Sequence, residues 1–212
     1  KKFIKEFPAP KDMASSSLKK ILEMWSGLGY NSRAKRMFES SKIIAEKSFD
    51  GLYPDFQQLP GVGPYTENAI LSFVYNEKVI TEDINVKRII SRYFGVKNPK
   101  KFIERFSSLL LKNTESRKLN QALMDFGSII CRPRNPLCLN CPLENSCKKY
   151  FNLETKSQEK FFGSNREVRG NLIKILLKKG RLNINTLQQE LNTDQEKLDK
   201  IIKNLQEIGW IL

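Results

Sequence analysis

All four cysteines of this 212-residue chain lie in one short segment that runs from Cys131 to Cys147. Their spacing is Cys-x6-Cys-x2-Cys-x5-Cys, so the candidate ligands are Cys131, Cys138, Cys141 and Cys147. In a reducing compartment, clustered cysteines are more often metal ligands than disulfide partners. Four thiolates in one loop can surround an iron-sulfur cubane, whereas structural zinc sites more often use two separated Cys-x2-Cys pairs. The segment therefore predicts a metal-binding loop, with zinc as the alternative to an iron-sulfur cluster.

The chain is strongly basic. It has 37 Lys and Arg residues against 23 Asp and Glu, a formal net charge of +14, and no histidine. Such an excess is typical of a protein that binds nucleic acid, and a basic surface kept for solubility is the alternative. The sequence has no run of about 18 apolar residues and no apolar amino-terminal segment with a cleavage signature, so neither a membrane span nor a signal peptide is indicated. We expect a cytoplasmic, nucleoid-associated protein with no membrane partner.

Apolar residues recur at helical spacing through most of residues 1–150, and few segments alternate with period 2. The pattern predicts a nearly all-helical region, including a short helical stretch at Phe56–Leu59. The polar residues 151–165 predict a linker. Residues 166–212 predict three helices, a short extended segment at Arg181–Ile184 and a final strand. We therefore expect an all-α fold with a small winged-helix-like carboxy-terminal unit.

Two features between the helical segments suggest chemistry. Gly61 and Gly63 flank Val62, and glycines that precede a helix let the backbone approach an anion such as phosphate. An ordinary tight turn is the alternative. Asp83 lies just before the helical pattern at residues 86–94, where an aspartate either caps the helix or is kept ionised by the helix amino terminus.

Five segments, in order, carry a resemblance to a known family: WSGLGYNSRAK at 25–35, LPGVGPYT at 59–66, DINVKR at 83–88, NQALMDFG at 120–127 and the cysteine loop at 131–147. Together they resemble the helix-hairpin-helix DNA glycosylases of the endonuclease III superfamily, and most closely the adenine-specific mismatch glycosylases of the MutY type. The resemblance implies a monomeric base-excision repair enzyme that removes adenine opposite guanine or 8-oxoguanine. It also implies double-stranded DNA as the partner and a [4Fe-4S] cluster as the cofactor.

The resemblance further implies three catalytic residues. Asp83 would stabilise the oxocarbenium character that develops on the deoxyribose as the glycosidic bond breaks, and Asn85 would orient water or the sugar. In lyase-active members, a lysine at the position of Tyr65 attacks the sugar and forms a Schiff base. A phenol cannot form an imine, so a monofunctional glycosylase is implied. Because tyrosine at this position also occurs in thymine-DNA mismatch glycosylases, removal of thymine from G:T pairs remains an alternative.

DNA contacts are implied for three parts of the chain. Tyr30 would intercalate in the minor groove beside the estranged base, which lowers the cost of unstacking it. A tyrosine packed on the neighbouring helix is the alternative, and this chain carries Asn31 where family members usually have a second tyrosine. The remaining predicted DNA contacts are Arg33, the hairpin residues Gly61, Val62 and Gly63, and Arg132 and Arg134 in the cysteine loop.

One catalytic group of the family has no counterpart in this sequence. Adenine glycosylases carry a glutamate near the start of the domain that protonates the leaving adenine, and this chain opens downstream of the matching helix. Neither Glu67 nor Glu82 occupies that position. A general acid typically contributes about 10²- to 10⁴-fold, so we expect the chain as given to be severely impaired and its sequence to be incomplete. A non-catalytic iron-sulfur DNA-binding module is the second alternative.

Overall fold

The computed structural model describes residues 2–151 and 160–210, and within these residues the regular structure is entirely helical, which confirms the all-α prediction. No helix among the described residues is long and apolar enough to cross a membrane. In chain order the helices are α1 (Lys2–Glu6), α2 (Pro10–Ala14), α3 (Leu18–Trp25), α4 (Asn31–Lys47), α5 (Pro64–Phe73), α6 (Ile84–Phe94), α7 (Pro99–Leu110), α8 (Ser116–Ile129), α9 (Asn165–Lys179), α10 (Ile184–Leu191) and α11 (Gln195–Glu207).

The described residues divide into two compact units, and the first contains α1–α4, residues 59–61 and α9–α11. Its amino-terminal core consists of Phe7, Met13, Ile21, Leu22, Ala34 and Phe38. Leu177 of α9 and Trp210 pack against this core, and Lys35 Nζ donates a hydrogen bond of 2.5 Å to the carbonyl of Ile208. A second core lies among α9, α10 and α11 around Leu172, Leu198 and Leu205. The carboxy-terminal helices therefore pack directly on the helices that begin the chain.

The second unit contains α5–α8 and the cysteine loop. Its core consists of Ile80, Val86, Ile90, Ile103 and Leu111. Helix α6 packs against both α7 and α8, with a buried apolar stripe facing them. It ends at Phe94 and is capped by Gly95, whose φ of 69° is the left-handed conformation that favours glycine just after a helix. The central helix of this unit is thus the one that begins directly after Asp83.

The predicted helical stretch at Phe56–Leu59 is wrong, since these residues form turns. The backbone N–H groups of Phe56 and Gln57 donate to Glu67 Oε1 at 3.0 and 3.2 Å, and the side chain of Gln57 donates to Glu67 Oε2 at 2.6 Å. The N–H groups of this segment therefore donate to a carboxylate in the first turn of α5, and not to carbonyl groups within a helix of their own.

The strand predicted at Arg181–Ile184 is also wrong, since these residues form no strand, although Asn183, with φ of −77° and ψ of 159°, has an extended backbone. Asn183 caps α10, because its Oδ1 accepts hydrogen bonds of 2.8 Å from both the N–H and the hydroxyl of Thr186, so the chain is already helical at Ile184. Residues 211 and 212, part of the predicted final strand, lie outside the described residues, as do residues 152–159 of the predicted linker. The described residues of the carboxy-terminal segment form three helices, α9, α10 and α11.

Candidate active site and cysteine loop

Asp83 is the amino-terminal cap of α6, as its position in the sequence predicts. Its backbone is extended, with φ of −63° and ψ of 152°, and its carboxylate accepts a hydrogen bond of 2.6 Å from the N–H of Asn85. The side chain is half-buried. The first N–H groups of a helix have no partner within the helix, so a carboxylate at this position supplies one of them with an acceptor. The first turn of α6 therefore fixes an anionic group that solvent or a ligand can still reach.

The segment that leads to Asp83 is held by a buried asparagine of α8. Asn120 is fully buried, and its Oδ1 accepts hydrogen bonds from the N–H and the hydroxyl of Thr81 at 2.8 and 3.1 Å. Its Nδ2 donates to Ser72 Oγ at 2.8 Å, to the carbonyl of Val79 at 2.8 Å and to the carbonyl of Ser116 at 3.0 Å. Because all these polar groups are satisfied inside the protein, the network fixes the position of the residues just before Asp83.

Gly127 of α8 lies against the backbone of the first turn of α6. A Cβ atom added at Gly127 would lie 2.6 Å from the Cβ and 3.3 Å from the Cα of Asn85. The two helices can approach this closely only because position 127 has no side chain. Asn120 and Gly127 are the two ends of the segment NQALMDFG. Asn120 thus binds the residues before Asp83, and Gly127 contacts Asn85 after it.

Replacing Gly127 with Ala should lower the free energy of unfolding by about 1–3 kcal/mol, because the added methyl group pushes α8 away from Asn85. Gly170 in α9 is the matched control, since an added Cβ there would meet no atom within 4 Å. Gly170→Ala should instead raise the stability by about 0.5–1 kcal/mol through the better helix propensity of alanine. Urea denaturation of both variants measures these changes, and equal stabilisation by both substitutions would contradict the close approach.

Arg88 connects the site to the cysteine loop. It is 5% exposed, and its Nη2 donates to Asn85 Oδ1 at 2.6 Å and to the carbonyl of Gly127 at 2.7 Å, while Nε donates to the carbonyl of Cys131 at 2.8 Å. Burial lowers the pKa of the guanidinium from its ordinary value, and the nearby carboxylate of Asp83 partly opposes this shift. An arginine remains protonated under such a shift, so a buried cation stands behind Asn85. The amide oxygen of Asn85 is therefore already engaged by the protein itself.

Arg92, one turn further along α6, binds the start of the cysteine loop. Its guanidinium donates to the carbonyls of Arg132 and Pro133 at 2.7 and 3.1 Å, and Nη1 lies 3.5 Å from Cys131 Sγ. The ring of Phe151 lies over the same guanidinium, 4.9 Å away. Arg88 and Arg92 were not predicted as site residues. Two sequence signals point toward them, which are the place of Arg88 in the segment DINVKR and the helical spacing of four residues between Arg88 and Arg92.

The four cysteines line one common cavity. Apolar side chains of α6, α8 and the loop itself form most of its remaining wall, among them Ile89, Phe126 and Leu143. Each cysteine is half-buried and is a free thiol. Among the described residues, no three His, Cys, Asp or Glu side chains come close enough together to hold a metal ion. The donor set nevertheless fits a thiolate-bound group, because Arg92 and the N–H of Lys149 donate toward the sulfurs of Cys131 and Cys147.

The hairpin glycines differ in their local geometry. Gly61 has φ of 86°, and a Cβ added there would lie 2.5 Å from Arg36 Cδ, so this position requires glycine. Gly63 is the amino-terminal cap of α5, and no side chain caps that helix in its place. Pro64 then begins α5, followed by Tyr65, whose side chain is 43% exposed. The phenol of Tyr65 therefore lies at the open amino-terminal end of α5.

The segment between α3 and α4 presents Tyr30 to solvent. Gly27 and Gly29 have positive φ, and the indole of Trp25 donates a hydrogen bond of 2.8 Å to the carbonyl of Gly29. Tyr30 itself has a left-handed backbone, with φ of 48° and ψ of 53°, and is 58% exposed. This conformation costs a non-glycine residue about 1–3 kcal/mol, so the surrounding structure must hold it. More than half of the Tyr30 side chain is therefore open to solvent, while its ring also lies against Arg33 of the neighbouring helix α4.

The three arginines predicted to contact DNA have different surroundings. Arg33 is exposed, with its guanidinium 5.0 Å from the centroid of the Tyr30 ring. Arg134 is exposed in the cysteine loop. Arg132 is half-buried and turns back to donate a hydrogen bond of 2.9 Å to the carbonyl of Asn135. The carboxylate of Glu82 forms an ion pair of 3.0 Å with Lys87.

Asp83 at the start of α6, the hairpin before α5 and the four-cysteine loop are features of the class of helix-hairpin-helix DNA repair proteins. A family model described as the HhH-GPD superfamily base excision DNA repair protein matches residues 1–112. The chain belongs to this family.

Relatives of known name support the same assignment. The chain is 42% identical to an adenine DNA glycosylase of Buchnera aphidicola subsp. Baizongia pistaciae (strain Bp), over 71% of this chain and 45% of that protein. It is 29% identical to an adenine DNA glycosylase of Mycobacterium tuberculosis, over 82% of this chain and 62% of that one. The chain therefore spans about half the length of these relatives.

Two solved structures have the same fold. A thermostable thymine-DNA glycosylase is 30% identical with a TM-score of 0.61, and the match covers 70% of this chain and 73% of that one. A trapped covalent intermediate of endonuclease III with DNA is 22% identical with a TM-score of 0.56, over 70% and 73% of the two chains. The endonuclease III likeness shows the fold alone. Together these structures confirm the predicted helix-hairpin-helix glycosylase fold.

Proposed function

We propose that this chain is part of a monofunctional DNA glycosylase that removes adenine mispaired with guanine or 8-oxoguanine. The observation that carries the proposal is Asp83, a half-buried carboxylate fixed at the first turn of α6. The relatives named adenine DNA glycosylase support the choice of base. The reaction would be hydrolysis of the N-glycosidic bond, which leaves an abasic site in an intact strand.

The chemistry follows from the charge that develops on the sugar. As the bond between adenine and C1′ lengthens, the deoxyribose acquires oxocarbenium character, and a carboxylate held beneath it stabilises that positive charge. Asp83 needs no reorganisation to do this, because Asn85 and the network of Asn120 already fix its position. Asn85, with its oxygen bound by Arg88, keeps its amide N–H groups to orient the attacking water or the sugar.

The partner in this proposal is double-stranded DNA that contains a mismatched or oxidised base pair. Tyr30 would enter the minor groove and fill the space of the flipped base, and its protruding position supports this role. The hairpin residues Gly61, Val62 and Gly63 would contact a phosphate through backbone N–H groups. Arg33 and Arg134 would contribute positive charge, and Arg132 less so because it is partly engaged by its own loop.

The cofactor in this proposal is a [4Fe-4S] cluster held by Cys131, Cys138, Cys141 and Cys147. When bound, the cluster would supply iron-thiolate bonds that close the loop into one rigid element. The apolar wall of the shared cavity and the donors from Arg92 and Lys149 suit thiolate sulfurs. The loop would then present its basic side chains at a defined place.

Three duplex oligonucleotides test the function of the complete protein. They carry A opposite 8-oxoguanine, A opposite G or T opposite G, and each reaction is treated with alkali to break the strand at abasic sites. We expect cleavage at adenine in the first two duplexes. Cleavage only at the thymine of T:G would contradict the adenine proposal. Binding without any cleavage would favour a non-catalytic DNA-binding module.

A thymine-DNA glycosylase is the second candidate, and one observation favours it. The solved thymine-DNA glycosylase is 30% identical over 70% of this chain, which exceeds the identity to endonuclease III. Tyr65 is compatible with both bases. The T:G duplex distinguishes this candidate from the adenine glycosylase in the same experiment.

Replacing Tyr65 with Lys should give the protein lyase activity, because the new amine at the start of α5 can attack C1′ of the sugar. The expected results are strand cleavage without alkali and a protein–DNA adduct that borohydride traps by reducing the imine. Lys78→Arg, an exposed charge in the same unit, is the control and should trap no adduct above the unmodified protein. Absence of an adduct with Tyr65→Lys, in a variant that still excises the base, would contradict the assigned position of Tyr65.

A further inference from the structure

The turn at residues 161–164, directly before α9, exposes two phenylalanine side chains to solvent. Phe161 is 54% exposed and Phe162 is 85% exposed, and their ring centroids lie 5.8 Å apart in an edge-on arrangement. Exposed aromatic rings forfeit a large hydrophobic gain, so a fixed pair of them at one tip is unusual on a protein surface.

Hydrogen bonds fix this turn. The N–H and the hydroxyl of Ser164 both donate to the carbonyl of Phe161, at 3.1 and 2.6 Å, and the N–H of Gly163 donates to Glu167 Oε2 at 2.6 Å. Gly163 has φ of 79°, which allows the sharp change of direction before α9. The rings are therefore displayed by an ordered tip, which lowers the entropic cost of binding a partner there.

A polar groove between α9 and α11 begins beside the tip. Its cationic side chains are Arg166, Arg169, Lys197 and Lys200. Its two carboxylates are engaged within the protein. Asp194 caps α11 by accepting from the N–H of Lys197 at 2.7 Å, and Glu196 pairs at 2.5 Å with Lys200, itself one of the four cations, so four cations stand against two carboxylates. The groove therefore has an excess of positive charge in a chain whose net charge is +14.

The tip and the groove form one continuous surface. Lys197 Nζ, which lines the groove, donates a hydrogen bond of 2.9 Å to the carbonyl of Gly163, one residue after Phe162. A ligand that follows the groove toward the start of α9 would thus meet the two phenyl rings. Because Lys197 belongs to both features, their spacing is fixed by the fold.

We propose that this surface binds an unpaired strand of DNA, with phosphates on the cations of the groove and bases stacked on Phe161 and Phe162. A cationic groove that ends at exposed aromatic rings is the combination that binds single strands without sequence preference. A paired duplex covers the faces of its bases, so it could use the cations but not the rings. The surface lies outside residues 1–112, which the family model matches, and the inference does not depend on base excision.

Fluorescence anisotropy with a labelled thymidine oligonucleotide of about 20 nucleotides tests this surface in the full chain, since a single strand needs room for both stacking and phosphate contacts. The oligonucleotide contains no adenine and, as a single strand, no mismatched base pair, so removal of a mispaired base does not affect the result. Phe162→Ala should weaken binding about tenfold, and Phe162→Trp should retain or strengthen it. Lys200→Gln should reduce the slope of log affinity against log salt by about 0.7.

Matched controls are available on the same helices. Lys203→Gln removes an equal charge from α11 outside the groove, and Ile184→Ala removes an exposed apolar side chain of α10. Both should bind the oligonucleotide within twofold of the unmodified chain. Since Phe162 and Lys200 are exposed, thermal unfolding midpoints of all variants should agree.

Three results would overturn the proposal. The first is unchanged single-strand affinity in Phe162→Ala. The second is an equal loss of affinity for a fully paired duplex of the same length, which would mean that the rings do not contact unpaired bases. The third is unchanged DNA binding combined with a shift from dimer to monomer in sedimentation, which would make the tip a contact between two copies of this chain.

Discussion

Replacing Asp83 with Asn is expected to lower the single-turnover rate of base excision by about 10³-fold or more, because the neutral amide cannot stabilise positive charge on the sugar. Asparagine is also a good helix cap, so α6 should begin at the same residue and the fold should be retained. The affinity for a duplex that carries the mismatch should remain within a few-fold of that of the unmodified protein. Single-turnover excision and anisotropy on the same duplex measure the two quantities.

Asp125 provides the matched control for this substitution. It is exposed on α8 and accepts a hydrogen bond of 2.9 Å from the side chain of Gln121. Asp125→Asn makes the same chemical change away from the start of α6, and its excision rate should be normal. If the excision rate of Asp83→Asn stays within tenfold of the unmodified rate, Asp83 is only a helix cap and has no catalytic role.

Replacing Arg88 with Met is expected to lower the free energy of unfolding by about 3–5 kcal/mol. The substitution keeps much of the apolar volume but removes all donors to three acceptors, which are Asn85 Oδ1 and the carbonyls of Gly127 and Cys131. Buried acceptors that lose their partner retain the full cost of desolvation. Urea denaturation monitored by circular dichroism measures the change.

The control for Arg88 is Arg105 of α7, which is exposed and lies over the ring of Phe106 at 5.4 Å. Arg105→Met should change the stability by no more than about 0.5 kcal/mol. Arg88→Lys should be intermediate, because one ammonium cannot reach all three acceptors in the geometry of a guanidinium. Equal stability of the Met variants at positions 88 and 105 would mean that the connection between α6 and the cysteine loop contributes nothing to the fold.

The sequence predicted the position of Asp83 well and the surroundings of Asn85 poorly. The cap position follows from local rules, because an aspartate before an amphipathic pattern has few other places in a helix. The bond between Asn85 and Arg88 depends on the burial of Arg88 by α8 and the cysteine loop. Arginine is mostly a surface residue, and nothing local marked this one as buried.

The packing of residues 166–212 could not be predicted from local sequence patterns either. The three helices of residues 166–212 were predicted, but the packing of Leu177 and Trp210 on the amino-terminal core joins segments from opposite ends of the chain. The wrong strand at Arg181–Ile184 has a local cause, since the cap formed by Asn183 was not recognised. The wrong helical stretch at Phe56–Leu59 has a tertiary cause, because Glu67 binds its N–H groups.

Mass spectrometry of the products from an A:G duplex, without alkali, tests the central claim most directly. The complete protein is predicted to release free adenine and to leave the strand intact with one abasic site, because in the proposed mechanism Asp83 promotes hydrolysis and the phenol of Tyr65 cannot form an imine. Release of thymine from a T:G duplex in place of adenine, or a strand already broken in the A:G product, would contradict this account.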